Sequence, residues 1–226
     1  MKKTIILLLM IMTTAILSNA QNKFVTKKFK TEGRENLYLG KADTVVAEGD
    51  INKDGNKDVV IAEQNGGELA VYFGSADGYK LYNIYPTNGE KCEYEHRKSQ
   101  EFYVNVSITA KGVLRIATSE MIFGQTCEDP DTYDCAYSDN ISLVYMLRYQ
   151  DNDLYLIGGN KSIYREGDGS LAVSGGGSYN TLTNKKIPID IDGSTLLRDQ
   201  ITDIPKKPLK SLSEITIGLY DFEDYD

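Results

Sequence analysis

Short apolar stretches separated by turn residues run through most of the chain and predict β-strands. The first four lie at Thr44–Ala47, Asp58–Ala62, Leu69–Phe73 and Tyr79–Tyr85. Asn65-Gly66-Gly67 and Ser75–Gly78 stand between them, and such residues favour hairpin turns because Gly and Asn tolerate positive φ. This order of strands and turns predicts a four-stranded antiparallel meander.

A second set of strands follows the polar stretch Thr87–Gln100. Phe102–Ile108 alternates apolar and polar residues, which is the pattern of a strand with one buried face. Further strands are predicted at Val113–Ala117, Ile141–Tyr149 and Leu154–Ile157, which makes a second four-stranded meander. The C-terminal part predicts strands at Tyr179–Leu182, Lys186–Ile191 and Glu214–Leu219, and a flexible turn or linker at Ser174–Ser178.

These elements predict an all-β fold of antiparallel four-stranded meanders, forming either an incomplete propeller or two packed sheets. The predicted organisation has four parts. They are a signal peptide at 1–20, a mobile lead-in at 21–41, a first meander at 42–100, and a second meander at 101–226 that includes the C-terminal strands and an acidic tail. We expect that tail, Asp221–Asp226, to be solvated because it is rich in carboxylates.

The N-terminal segment has the pattern of a secretory signal peptide. Met1-Lys2-Lys3 is basic, Ile5–Met12 is apolar, and Ser18-Asn19-Ala20 places small residues before Gln21. This order predicts cleavage after Ala20 and a protein that is secreted, periplasmic or at the cell surface. A retained anchor is the alternative, and the shortness of the apolar stretch disfavours it. Cleavage would leave 206 residues without a membrane span and change the net charge from −8 to −10.

Three cysteines lie in the predicted exported part of the chain. In an oxidising compartment a disulfide is expected, and three cysteines leave one unpaired. Cys127 and Cys135 enclose a short acidic loop, so we predict that they form the disulfide. Pairing of Cys92 with one of them, or buried free thiols, are the alternatives that spacing alone leaves open.

Composition excludes several classes of function. The chain has one histidine, which argues against multi-His metal sites and against most Ser/His or Cys/His nucleophiles. The net charge of −8 argues against a nucleic-acid partner, because phosphate neutralisation needs clustered Lys and Arg. Sixteen tyrosines, many beside predicted strands, suit half-buried packing on a sheet, with sugar or protein contacts as the alternative.

One stretch has the spacing of a calcium-binding loop. Side chains that carry oxygen stand at positions 1, 3, 5, 7 and 9, with Gly55 at position 6; they are Asp50, Asn52, Asp54, Asn56 and Asp58. Ca²⁺ takes about six to eight oxygen ligands, and alternate residues of a tight loop point inward to supply them. We predict side-chain coordination by the first three and by Asp58, and coordination by the carbonyl of Asn56. The loop is not an EF-hand, because position 12 is Ile61 and strands flank it.

Gly49 before the loop, Asp58-Val59-Val60-Ile61 after it and Val71–Ser75 beyond resemble FG-GAP and VCBS repeats, the calcium-loop blades of integrin-like β-propellers. The resemblance covers about Val45–Leu81 and implies a blade-like sheet with a bound Ca²⁺. The loop occurs once, whereas such propellers carry it in several blades. The layout as a whole is also similar to small secreted bacterial proteins, a resemblance that implies no activity.

The function expected from these features is that of a secreted, non-catalytic β-module with a structural calcium site and a protein or glycan partner. A secreted glycan hydrolase that uses carboxylates alone is one alternative, and a periplasmic inhibitor or partner protein is another. For the loop itself, a role of the ion in ligand binding and an empty polar turn are the other interpretations.

Overall fold

The structure, a computed structural model, describes residues 44–87, 93–94, 97–125, 136–167, 170–190, 195–218 and 222. The predicted signal peptide, the lead-in, all three cysteines and the histidine lie outside these residues. Within the described ranges the protein is all-β, as predicted, and its strands form two antiparallel sheets, neither of which closes into a barrel. No helix in these ranges has the length and apolar character that a membrane span requires.

The first sheet is the predicted four-stranded meander. Its strands follow chain order and are β1 (Thr44–Gly49), β2 (Asp58–Glu63), β3 (Gly67–Ser75) and β4 (Gly78–Thr87). Each predicted strand lies within an observed one, and both predicted hairpin turns connect neighbouring strands. Local pattern and turn residues were therefore sufficient to predict this sheet.

The second sheet is larger than predicted. Its strands are β5 (Glu93–Tyr94), β6 (Arg97–Ile108), β7 (Val113–Gln125), β8 (Ala136–Gln150), β9 (Asp153–Gly167), β10 (Ser170–Asn180), β11 (Lys185–Pro188) and β12 (Thr202–Asp203). All eight pair in sequence order. The predicted second meander is thus the centre of an eight-stranded sheet, because the C-terminal strands extend it.

Strand β2 is buried on both faces, which explains its unbroken apolar sequence. Val60 and Ala62 belong to the main core, while Val59 and Ile61 point to the other face and form a second cluster with residues of β3. A strand that is covered on both sides has no polar alternation. The turn that precedes β2 is therefore attached to one of the most buried elements of the protein.

The two sheets share the main core. The backbone N–H of Val104 in β6 donates to the carbonyl of Gln64, beyond β2, at 2.7 Å. At another point Phe73 of the first sheet stacks on Tyr82, with ring centroids 4.5 Å apart, and meets Tyr149 of β8 edge to face at 5.0 Å. Apolar burial and these aromatic contacts hold the sheets together.

Four local predictions are wrong. The strand predicted at Tyr179–Leu182 is only the end of β10, which stops at Asn180, and Thr181 and Leu182 lie in the turn that follows. Ser174–Ser178 is not a linker but part of β10, because its backbone pairs with β9, and Gly177 and Ser178 pair with β11 as well. The described part of the predicted strand Glu214–Leu219, up to Gly218, is not a strand: a 3-10 turn occupies Leu212–Glu214, and Ile217 makes a single parallel bridge to Thr87. Within the polar stretch before Phe102, Glu93–Tyr94 forms β5, and β6 already begins at Arg97.

The C-terminal segment is buried rather than solvated at Phe222. This ring is fully buried and stacks on Tyr179 and Tyr145, with centroids 5.2 Å and 5.7 Å away. The Tyr145 hydroxyl accepts a hydrogen bond from the Gly218 N–H at 2.9 Å. The tail is rich in carboxylates, but its aromatic residue Phe222 belongs to the core. The prediction of a solvated tail is therefore wrong at Phe222.

Candidate metal-binding loop

The candidate loop, Asp50–Lys57, joins β1 to β2 where Gly49 pairs with Asp58. Two of its residues have a left-handed backbone, with φ of 61° at Lys53 and 89° at Gly55. Glycine adopts this conformation without the steric penalty of a side chain. The chain therefore reverses at Gly55, as the spacing predicted.

The side chains of the loop form hydrogen bonds with one another and with the backbone of the loop. Asp50 accepts from the Asp54 N–H at 3.1 Å and from the Gly55 N–H at 3.0 Å. Asn52 Oδ1 accepts from the same Asp54 N–H at 3.0 Å, and Asn52 Nδ2 donates to Asp54 Oδ2 at 3.0 Å. Asn56 donates to Asp54 Oδ1 through its backbone N–H at 2.8 Å and through Nδ2 at 3.1 Å. These four side chains form one network at the protein surface, which we call the exposed network.

Asp58 has a different environment, because its side chain is fully buried. Its Oδ2 accepts from the Ile51 N–H at 2.6 Å and from the Asn52 N–H at 3.2 Å. Its Oδ1 accepts from the Gly74 N–H of β3 at 2.9 Å. Hydrogen bonds to a carboxylate are stronger than neutral ones. Asp58 thus ties the start of the loop to β3, and we call this arrangement the Asp58 clasp.

The predicted ligands are therefore divided between two environments. Asp50, Asn52, Asp54 and Asn56 come together in the exposed network, and Asp58 lies in the core behind it. In the part of the chain that the structure describes, no three His, Cys, Asp or Glu side chains gather in a group that could hold a metal ion. The exposed network instead combines two carboxylates with two amides.

The pKa values of two aspartates shift in opposite directions. The pKa of Asp54 lies below its ordinary value of 3.8, chiefly because the backbone N–H of Asn56 donates to it. Burial raises the pKa of Asp58 above 3.8, against the lowering effect of its three backbone hydrogen bonds. Desolvation disfavours a charged carboxylate, and hydrogen-bond donors favour it. Asp54 is therefore the carboxylate whose ionised form the loop favours at the surface.

The exposed network fits calcium in the chemistry of its donors. Ca²⁺ binds carboxylate, amide and carbonyl oxygens together with water, and the network offers two carboxylates and two amides at the surface. Asp58 differs from these residues because its side chain is fully buried, and both of its oxygens accept backbone hydrogen bonds there. The contacts thus give Asp58 a structural role, and its predicted role as a fifth ligand stays a prediction.

A cavity of about 350 Å³ adjoins the loop and was not predicted from the sequence. It is lined by Asp50, Lys53, Ala110–Val113 and Arg148. These residues come from the loop, from the turn between β6 and β7, and from the end of β8. They are far apart in the chain, so no local pattern could have indicated that they meet.

The resemblance of Val45–Leu81 to FG-GAP and VCBS repeats rests on its residues alone. Comparisons of the chain with family models, with curated proteins and with solved structures found no match. Membership of that repeat family therefore stays a prediction.

Proposed function

We propose that the protein is a secreted, non-catalytic β-module that binds a protein or glycan partner and is stabilised by Ca²⁺ at the Asp50–Asp58 loop. The observation that carries the calcium part is the exposed network, in which two carboxylates and two amides converge on one side of a loop. The positive charge of a bound Ca²⁺ offsets the negative charge of these carboxylates. No bond of a substrate is made or broken.

The Asp58 clasp supports this proposal because it holds the network in place before any ion arrives. The clasp joins the loop to β3, and Ile51 within the loop is fully buried in the main core. A site that the fold arranges in advance binds with less loss of conformational entropy. Ion binding at this loop therefore favours the folded protein over the unfolded chain, which lacks the arrangement.

Calcium should raise the melting temperature of the purified protein. A ligand at a hundred times its dissociation constant adds about 2.7 kcal/mol to the free energy of unfolding. For a chain of this size, that corresponds to an increase of about 5–10 °C. The measurement compares thermal unfolding in excess Ca²⁺ with unfolding in a chelator, and an unchanged melting temperature would contradict the proposal.

The variant Asp54→Asn provides the residue test, with Asp77→Asn as its matched control. Asp54 accepts hydrogen bonds from Asn52 and Asn56 in the network, while Asp77 lies exposed in the turn between β3 and β4. Both variants lose one carboxylate. We expect Asp54→Asn to remove most of the calcium-dependent increase and Asp77→Asn to keep it. Equal losses in both would show that calcium acts on net charge alone.

A glycan hydrolase that uses carboxylates remains the competing hypothesis. Such an enzyme needs two carboxyl groups about 5–10 Å apart across a sugar. The cavity beside the loop offers one carboxylate, Asp50. Incubation with acidic and neutral glycans separates the hypotheses: release of new reducing ends contradicts the non-catalytic proposal, whereas retention of an intact glycan on immobilised protein supports it. A periplasmic partner protein would instead be captured by cross-linking without glycan retention.

A further inference from the structure

The cavity beside the loop is strongly basic in an acidic protein. Lys53, Lys111 and Arg148 contribute three positive charges to its lining, and Asp50 contributes one negative charge. The lining thus has a net charge of +2, although the chain as a whole has −8. Its volume of about 350 Å³ lies at the small end of ligand cavities, which span about 300–1,000 Å³.

The three cationic side chains have no partner among the described residues. The ion pairs found there, such as Lys57–Glu48 and Lys185–Asp203, involve other lysines. None of the three cavity cations donates a side-chain hydrogen bond within the described ranges. Three cations and one carboxylate leave the lining with a net positive charge, which would attract an anion into the cavity.

The walls of the cavity are fixed by the backbone. In the turn between β6 and β7, the Gly112 N–H donates to the Thr109 carbonyl at 2.9 Å, and Thr109 Oγ1 accepts from the Val113 N–H at 3.1 Å. Arg148 is the cross-strand partner of Val113. A cavity with fixed walls binds a small ligand without the cost of ordering a loop.

Gly112 brings the turn against the loop. Its φ is 73°, and a Cβ at this position would lie 2.5 Å from the carbonyl oxygen of Asp50. Only glycine allows this approach without strain. The lysine of the turn, Lys111, and the lysine of the loop, Lys53, therefore line the same cavity.

We propose that this cavity binds a phosphate group, either as inorganic phosphate or on a small phosphorylated sugar. A phosphate monoester carries about −1.5 to −2 charges at neutral pH, which matches the +2 of the lining. Arginine offers a planar fork of donors and lysine a compact charge, and both are common ligands of phosphate. The three cations lie outside the exposed network, but Asp50 belongs to both sites, so phosphate binding is measured first without calcium.

Titration of ¹⁵N-labelled protein with inorganic phosphate in the presence of a chelator tests the site. We expect the amide signals of Lys53 and Gly112 to shift together and to saturate with one dissociation constant in the millimolar range or below. Parallel titrations with glucose 6-phosphate and acetate identify the ligand. The tighter of the two phosphate compounds names the source, whereas absence of saturation, or equal binding of acetate, overturns the proposal.

Two variants remove single charges from the cavity. Lys111→Gln and Arg148→Gln should each raise the dissociation constant for phosphate by about tenfold, because each removes a charged hydrogen-bond donor. Lys206→Gln and Arg198→Gln make the same changes at exposed positions outside the lining and should leave it within about twofold. If Lys111→Gln does not fold, the exposed Lys53→Gln replaces it. Equal losses in the controls overturn the proposal.

Asp50→Asn separates this site from the calcium site because it affects the two in opposite directions. Loss of the carboxylate should abolish most calcium binding and tighten phosphate binding by about two- to threefold, since one repelling charge disappears. Phosphate binding that weakens in this variant would contradict the cavity and leave the calcium site standing. Saturable phosphate binding by a protein that does not bind calcium would support the cavity and contradict the calcium site.

Discussion

At the scale of single residues, Asp58 has the spacing of a metal ligand, and in the structure its side chain has a structural role. The sequence placed it as the fifth oxygen of a loop, since it stands two residues after Asn56. Its full burial follows from its place at the start of β2, which is covered on both faces. That burial depends on contacts with β3, so the spacing of the loop could not indicate it.

Asp58→Asn should destabilise the protein by about 1–3 kcal/mol, because an amide nitrogen would then face backbone N–H donors and leave one of them unpaired. Chemical denaturation in a chelator measures this loss. Asp77→Asn is the control, since the same change at that exposed turn leaves no buried donor without a partner. If the two variants unfolded at the same denaturant concentration, the Asp58 clasp would have no energetic role.

Glu214 predicts a dependence of stability on pH. Its carboxylate accepts from the Ser211 N–H at 2.6 Å, and this hydrogen bond is the main reason why its pKa lies below the ordinary value of 4.5. A lowered pKa in the folded state contributes stability above pH 4.5, and that contribution is lost as the pH falls through the folded pKa.

The stability advantage of the wild type over Glu214→Gln should therefore be present at neutral pH and shrink in acid. Denaturation of both proteins at a series of pH values measures it. An advantage that stayed constant across this range would show that the charge of Glu214 does not strengthen its hydrogen bond with the Ser211 N–H.

At the scale of elements, hairpins were predictable and their extent was not. Turn residues such as Asn65-Gly66-Gly67 and Ser75–Gly78 lie between the paired strands that the pattern indicated. The prediction of a flexible turn or linker at Ser174–Ser178 is wrong because it rested on the glycines of this segment alone. In the protein, pairing with β9 along its length and with β11 at its end satisfies this backbone and overrides the local preference.

Gly112→Ala should destabilise the protein by about 1–3 kcal/mol, because alanine at this φ is strained and its Cβ would contact Asp50. Gly175→Ala is the matched control, since a Cβ there meets no atom within 4 Å. Thermal unfolding compares the two variants. A Gly112→Ala protein as stable as its control would show that the turn can move away from the loop, and the fixed wall of the cavity would be lost with it.

At the scale of the whole molecule, the sequence predicted antiparallel meanders in either an incomplete propeller or two packed sheets, and it did not indicate the sizes of the two sheets. The first sheet is made of neighbouring hairpins, so local pattern describes it fully. The second gains strands from the C-terminal part, and Phe222 enters the core between Tyr145 and Tyr179. Such contacts join residues far apart in the chain, and their partners are set by the completed fold.

The candidate site divides in the same way. The exposed network lies within one loop, and its members were all named from their spacing. The cavity needs the loop, the turn between β6 and β7 and the end of β8 together. Its three cations come together only in the folded protein, where the two sheets pack against each other.

Isothermal titration of the chelator-treated protein with Ca²⁺ measures directly whether the Asp50–Asp58 loop binds calcium. We expect one ion per chain, with a dissociation constant of about 10⁻⁴–10⁻³ M, which is the range of extracellular calcium-binding modules. Asp54→Asn should abolish the heat of binding, and Asp77→Asn should retain it. No heat from the wild type, or equal binding by both variants, would contradict calcium binding at this loop.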